Sequence, residues 1–111
     1  MDIIFANKRL CGDCNDARRL VRRYGAEEAA VISRRLDDLS AARSLEDLRN
    51  LSGRLHELTG DRAGQLTLDL RGPRRLVFIP AHDPPPRRDD GGLDWTKVTA
   101  VEIIDIGDTH G

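Results

Sequence analysis

Apolar and polar residues alternate strictly from Gln65 to Arg71, with Leu66, Leu68 and Leu70 on one side and Thr67, Asp69 and Arg71 on the other. A period of two is that of a half-buried β-strand. Gly72-Pro73 interrupts it, and Arg75–Pro80 carries a second β-rich run, Leu76-Val77-Phe78-Ile79. Two such runs around a few turn residues predict a hairpin, with a loop longer than a tight Asn-Gly turn. Near the start, Asp2–Ala6 predicts a short strand, with Ile3, Ile4 and Phe5 fit for the centre of a sheet. Asn7 offers a capping oxygen, and Leu10, Cys14, Ala17, Val21 and Tyr24 follow at helical spacing up to Gly25. A second helix takes Glu27–Leu39, with Ala29, Ile32, Leu36 and Leu39 on one face and Arg34-Arg35 and Asp37-Asp38 on the other. The pair reads as an αα-hairpin covering a sheet. Ser44-Leu45-Glu46-Asp47 has the form of a capping sequence, which predicts a short helical turn over Leu45–Asn50. Lys97–Ile106 supplies a last strand, apolar enough on both faces to lie centrally.

The pattern fails between Pro80 and Trp95. Pro84-Pro85-Pro86, Arg87-Arg88, Asp89-Asp90 and Gly91-Gly92 cannot pack a core, so this stretch reads as a solvated surface loop, with Trp95 anchoring its end. Residues 1–111 therefore read as one domain with a Pro/Gly-rich loop at 80–96. No apolar run reaches membrane-spanning length, and Met1-Asp2-Ile3-Ile4-Phe5 lacks the form of a signal peptide, so a cytoplasmic location is expected. The net charge of −1 conceals an uneven distribution. Residues 53–88 hold seven basic and four acidic side chains, whereas residues 89–111 hold one basic and six acidic. A pI near 6.3 argues against a protein that coats nucleic acid indiscriminately, but leaves room for a local phosphate site.

Cys11-Gly12-Asp13-Cys14 is a C-x-x-C spacing, which can signal redox chemistry or half a zinc site. His56, His82 and His110 form no recognisable second pair of ligands. Cys14 also falls on the apolar stripe with Leu10, Ala17 and Val21, where a small hydrophobe is the simpler reading. The cysteines are therefore expected to be structural, and neither metal nor cofactor is assigned.

One further pattern concerns the order of residues. Leu55-His56-x-Leu58-x-Gly60-Asp61-Arg62-x-Gly64-Gln65 is followed by a strand, and then Arg74-Arg75 leads into a hydrophobic strand. This order resembles the RelE/ParE superfamily of bacterial toxins, and within it the HigB-like branch, or plasmid-maintenance killer proteins. The segment Val101–His110 resembles that branch's last strand and its acidic-x-His ending. The resemblance implies an α/β (α+β), RelE-like domain of β-α-α-β-β-β order, with two helices on one face of a small, mainly antiparallel twisted sheet. It also implies a type II toxin that cleaves mRNA on the translating ribosome without a metal and so arrests growth. The implied partners are the ribosome, mRNA and a cognate antitoxin, a HigA-like helix-turn-helix protein, in a hetero-oligomeric complex.

Metal-free RNA cleavage proceeds by attack of a ribose 2′-hydroxyl on the neighbouring phosphate. It needs a base, an acid and cations for the charge developing on phosphorus. By position in the resemblance, His110 and His56 handle protons or orient the nucleotide, while Arg71 and Arg75 bind the scissile phosphate. Arg74, Arg62, Thr59 and Thr109 complete the expected RNA contacts, although Asp61 and Arg62 also suit a purely turn-fixing role. Thr59 stands where many relatives have lysine, and Thr109 where they often have tyrosine. Each residue has a plainer reading: His110 as a frayed end, His56 as a packing residue, and Arg74 and Arg75 as solvated strand-edge charges. Two rival functions share the implied fold: a ParE-like binder that poisons DNA gyrase, and a catalytically degenerate antitoxin-binding protein.

Overall fold

The computed structural model describes residues 1–51 and 54–108, so Thr109 and His110 lie outside the described residues. The chain opens with strand β1 (Asp2–Phe5) and continues through helices α1 (Lys8–Cys14), α2 (Ala17–Tyr24) and α3 (Ala26–Ala41). Strands β2 (Leu55–Glu57), β3 (Leu66–Asp69), β4 (Arg74–Pro80) and β5 (Ala100–Asp108) follow. They form one sheet in the order β1-β5-β4-β3-β2, in which β1 runs parallel to β5 and every other pair is antiparallel. The long last strand is thus central, as its two apolar faces predict.

The described residues form three α-helices and five strands where the hydrophobic pattern predicts two and four. The first helix is broken because Asp16 starts a new one: its carboxylate accepts from the backbone N–H of Arg18 and Arg19, as Asn7 does from Leu10 at the start of α1. An N-cap oxygen satisfies donors that only a helix start leaves open. The break also shifts the phase of the apolar face. Leu20 is buried on α2, whereas Val21, on the expected stripe, is 45% exposed. The added strand, β2, is three residues long, too short for any periodicity, and exists by pairing with β3. The last strand begins three residues later than expected because Asp94 caps a 3-10 turn at Trp95–Lys97.

Leu66, Leu68, Leu76, Phe78, Val101, Ile103 and Ile106 form the sheet's share of the core, packed with Leu10, Leu20, Ala29, Ile32 and Leu39 of the helices. Ile103 and Ile106 are three apart, which on a regular strand would send them to opposite faces. A register shift between Val77 and Phe78 places Ile103 opposite Phe78 and Ile106 opposite Leu76, so both reach the core. Gly25 ends α2 and begins α3 at φ +87 and ψ 160, a conformation that only glycine adopts without strain.

The 80–96 segment is less solvated than its composition suggests. Leu93 is buried in the core, Arg87 and Leu93 form an antiparallel bridge, and His82 Nε2 accepts from the backbone N–H of Thr99 at 3.1 Å. Trp95 anchors the end as expected. Its indole N–H donates to Glu57 Oε1 at 2.8 Å, and the Arg49 guanidinium lies 4.2 Å from the ring centroid. Because Glu57 follows His56 on β2, this contact ties the loop to the candidate site.

Candidate functional site

The pairing register decides which predicted site residues meet. His56 lies opposite Thr67, Thr67 opposite Val77, and Val77 opposite Asp105. One row along, Asp69 lies opposite Arg75, and Arg75 opposite Gly107. Cross-strand partners share a sheet face, and these residues alternate with the core-facing leucines, so they occupy the face turned away from the helices. There the Asp69 carboxylate bridges two candidates: Oδ1 is 3.0 Å from Arg75 Nε and 3.4 Å from His56 Nε2. That oxygen is shut off from solvent, and neither contact has the geometry of a hydrogen bond. Oδ1 thus lies between two nitrogens on two different strands, as an ion pair with Arg75 and in close approach to the His56 ring.

Arg75 is held further by its own hairpin, Nη1 donating to the carbonyls of Gly72 at 3.0 Å and Arg74 at 2.9 Å. Its side chain is 21% exposed, that of His56 53%. Opposing anion binding, Asp69 offsets Arg75, and Asp105 is exposed three strands from His56, in the same row. The face is mixed in charge rather than basic.

The other predicted residues go elsewhere. Arg71 is not brought to Arg75: its guanidinium pairs with Glu27 of α3, and its backbone N–H donates to Glu28 Oε1 at 3.2 Å. The Arg74 guanidinium lies 5.4 Å from the Tyr24 ring centroid. Both side chains thus fasten the hairpin tip to the α2–α3 junction. Arg62 donates through Nε to Gln65 Oε1 at 3.0 Å, bracing the 3-10 turn Gly60–Arg62, and Thr59 is the exposed residue before that turn. Asp69 belongs to no motif in the sequence. Its polar position on an alternating strand was visible, but its two partners depend on the register of β2, β3 and β4.

A second charged cluster joins α1 to α2. Asp13, 1% exposed, lies 2.5 Å from Arg23 Nε, 3.1 Å from Arg19 Nη2 and 3.7 Å from Arg9 Nη1. Asp13, Arg19, Arg22 and Arg23 line an open depression of about 380 Å³. Gly12 makes room for this arrangement, since a Cβ there would fall 2.3 Å from Arg19 Nη1.

Among the described residues, no group of three or more His, Cys, Asp or Glu is placed to hold a metal ion, and no helix is long and apolar enough to cross a membrane. Cys11 and Cys14 are both free thiols. Burial, reinforced by the Asp13 carboxylate, pushes the Cys14 thiol up to about 11. At pH 7.5 such a thiol stays protonated, a poor state for a redox nucleophile. Iodoacetamide at pH 7.5 is therefore expected to label exposed Cys11 and spare Cys14, with Cys14 reacting as the pH approaches 11. Mass spectrometry of tryptic peptides reads the result, and equal labelling at pH 7.5 would contradict it.

The fold is similar to that of the YoeB/ParE toxin from Agrobacterium tumefaciens. The TM-score is 0.59, with 15% identity over 96% of this chain and 96% of that one. No protein-family profile matches the chain, and no curated protein matches it. At this identity the likeness establishes the fold class, a three-helix, five-stranded α+β domain of the toxin's type.

Proposed function

We propose that this protein is the toxin of a type II toxin–antitoxin pair, a cytoplasmic, HigB-like endoribonuclease that cleaves mRNA on the ribosome and is neutralised by a cognate antitoxin. Two findings support this reading: a fold shared with a YoeB/ParE toxin over 96% of both chains, and the meeting of His56 and Arg75 through Asp69. The second finding carries it. An imidazole nitrogen can take a proton from a ribose 2′-hydroxyl, and a guanidinium can hold a phosphate's non-bridging oxygens. The 2′-oxygen then bonds to phosphorus as the bond to the 5′-oxygen breaks, leaving a 2′,3′-cyclic phosphate and a 5′-hydroxyl. The 5′-oxygen needs a proton, a role proposed for His110. The ribosome supplies part of the RNA positioning, so a lightly charged site suffices.

A ParE-like binder of DNA gyrase is the second reading, favoured by the engagement of Arg71 with Glu27 and of Arg75 with Asp69, which leaves few cations for phosphate. Inducible expression in bacteria, with growth and mRNA 5′ ends followed together, separates the two. Growth arrest with new in-frame cuts is the expected result. Arrest with intact mRNA and gyrase-dependent DNA breaks would overturn the nuclease in favour of the binder.

A further inference from the structure

Among the described residues, Asp69 is the residue that touches both His56 and Arg75, and the reaction above gives it no part. We propose that Asp69 is the positioning residue of this site: its carboxylate holds His56 by Nε2 and Arg75 by Nε, presenting both side chains to one phosphodiester. This rests on the nuclease reading and adds a residue to it.

The geometry supports the assignment in three ways. First, Asp69 is fixed from behind: its backbone carbonyl accepts from Arg35 Nε of α3 at 3.2 Å, and Arg35 is itself paired with Asp38 at 3.1 Å. The carboxylate therefore sits on a strand end clamped to the helix layer. Second, Oδ1 is closed to solvent while the His56 side chain is half exposed, so the anion faces the imidazole from the protein side and the substrate approaches from the other. With Nε2 turned to Asp69, Nδ1 of His56 is left to accept the 2′-hydroxyl proton. The imidazolium formed then has a carboxylate oxygen 3.4 Å away. Third, Arg75 spends Nε on Asp69 and Nη1 on two carbonyls, which leaves Nη2 with no hydrogen bond or ion pair among the described residues. One guanidinium edge is thus available to the phosphate and the rest is locked.

The same carboxylate repels the substrate, which sets the direction of the test. Asp69→Asn keeps the shape and removes the charge. It is expected to lower kcat for ribosome-dependent mRNA cleavage by about 10- to 100-fold, with KM unchanged or lower. Asp69→Glu should recover part of the loss. Cleavage by Asp69→Asn at or above the wild-type rate would overturn the proposal, since Asp69 would then merely neutralise Arg75. An arm independent of activity uses NMR χ1 couplings of His56 in the intact protein. One rotamer is expected in wild type and averaging among rotamers in Asp69→Asn, whereas equal couplings in both would also overturn the proposal. If wild type cleaves no RNA, the nuclease reading fails on its own, and the couplings still decide whether Asp69 holds His56.

Discussion

Arg75→Ala is expected to reduce mRNA cleavage by about 10²- to 10³-fold, the usual loss when a charge-stabilising donor is removed from a reacting centre. His56→Ala should lose about 10²- to 10⁴-fold, the range for general acid–base groups. Cleavage kinetics on programmed ribosomes measure both. The variants differ in what else they disturb. Arg75 ties Gly72 and Arg74 into the hairpin, so its alanine variant also loosens the β3–β4 turn. Arg75→Lys keeps the charge without the fork and should recover only a small part of the activity. His56 is half exposed on a short outer strand, and its replacement should change stability by less than about 0.5 kcal/mol. A fully folded but inactive His56→Ala protein would therefore place the loss in chemistry. Unchanged cleavage in that variant would remove His56 from the mechanism.

Asp13→Ala is expected to be the most damaging single change to stability outside the leucine core. The carboxylate is buried among three guanidinium groups, and α1 and α2 meet around it. Without it, Arg9, Arg19 and Arg23 repel one another with no counter-ion between them. Their side chains are 42–48% exposed and can turn to water, so the cost is that of a lost buried partner rather than of three stranded charges. About 1–3 kcal/mol follows, equivalent to a fall of roughly 5–15 °C in Tm. Added salt should restore part of the loss by screening the arginines. Urea denaturation at low and high ionic strength measures both effects. A change below about 0.5 kcal/mol would mean that the Asp13 cluster contributes nothing net to the α1–α2 junction.

Much of this fold is written locally. The alternation of Leu66, Leu68 and Leu70, the Gly72-Pro73 break and the apolar run to Ile79 lead directly to the β3–β4 hairpin. The run around Ile103 and Ile104 places β5 centrally, and Trp95 anchors its loop. These features rest on whether neighbouring residues along one segment are apolar, and that is visible without the fold. The break at Asp16 was hidden because Leu10, Cys14, Ala17, Val21 and Tyr24 keep helical spacing straight through it. A capping carboxylate outweighed a pattern that would have left Leu20 outside the core.

The candidate site was legible only in its chemical types. Histidine, arginine and a phosphate-directed reading follow from the family resemblance that the residue order carries, and His56 and Arg75 both lie against Asp69. Their meeting depends on register, a property of three paired strands and of no single one, and so the place of Asp69 between them is not written in any one segment. Arg71 shows the same limit from the other side: Glu27, far away along the chain, draws it to α3. Local sequence determined β1, the β3–β4 hairpin, β5, the apolar face of α3 and the kinds of side chain available. Tertiary structure decided which charges became neighbours, because electrostatic pairing depends on distance in space and is blind to distance along the chain.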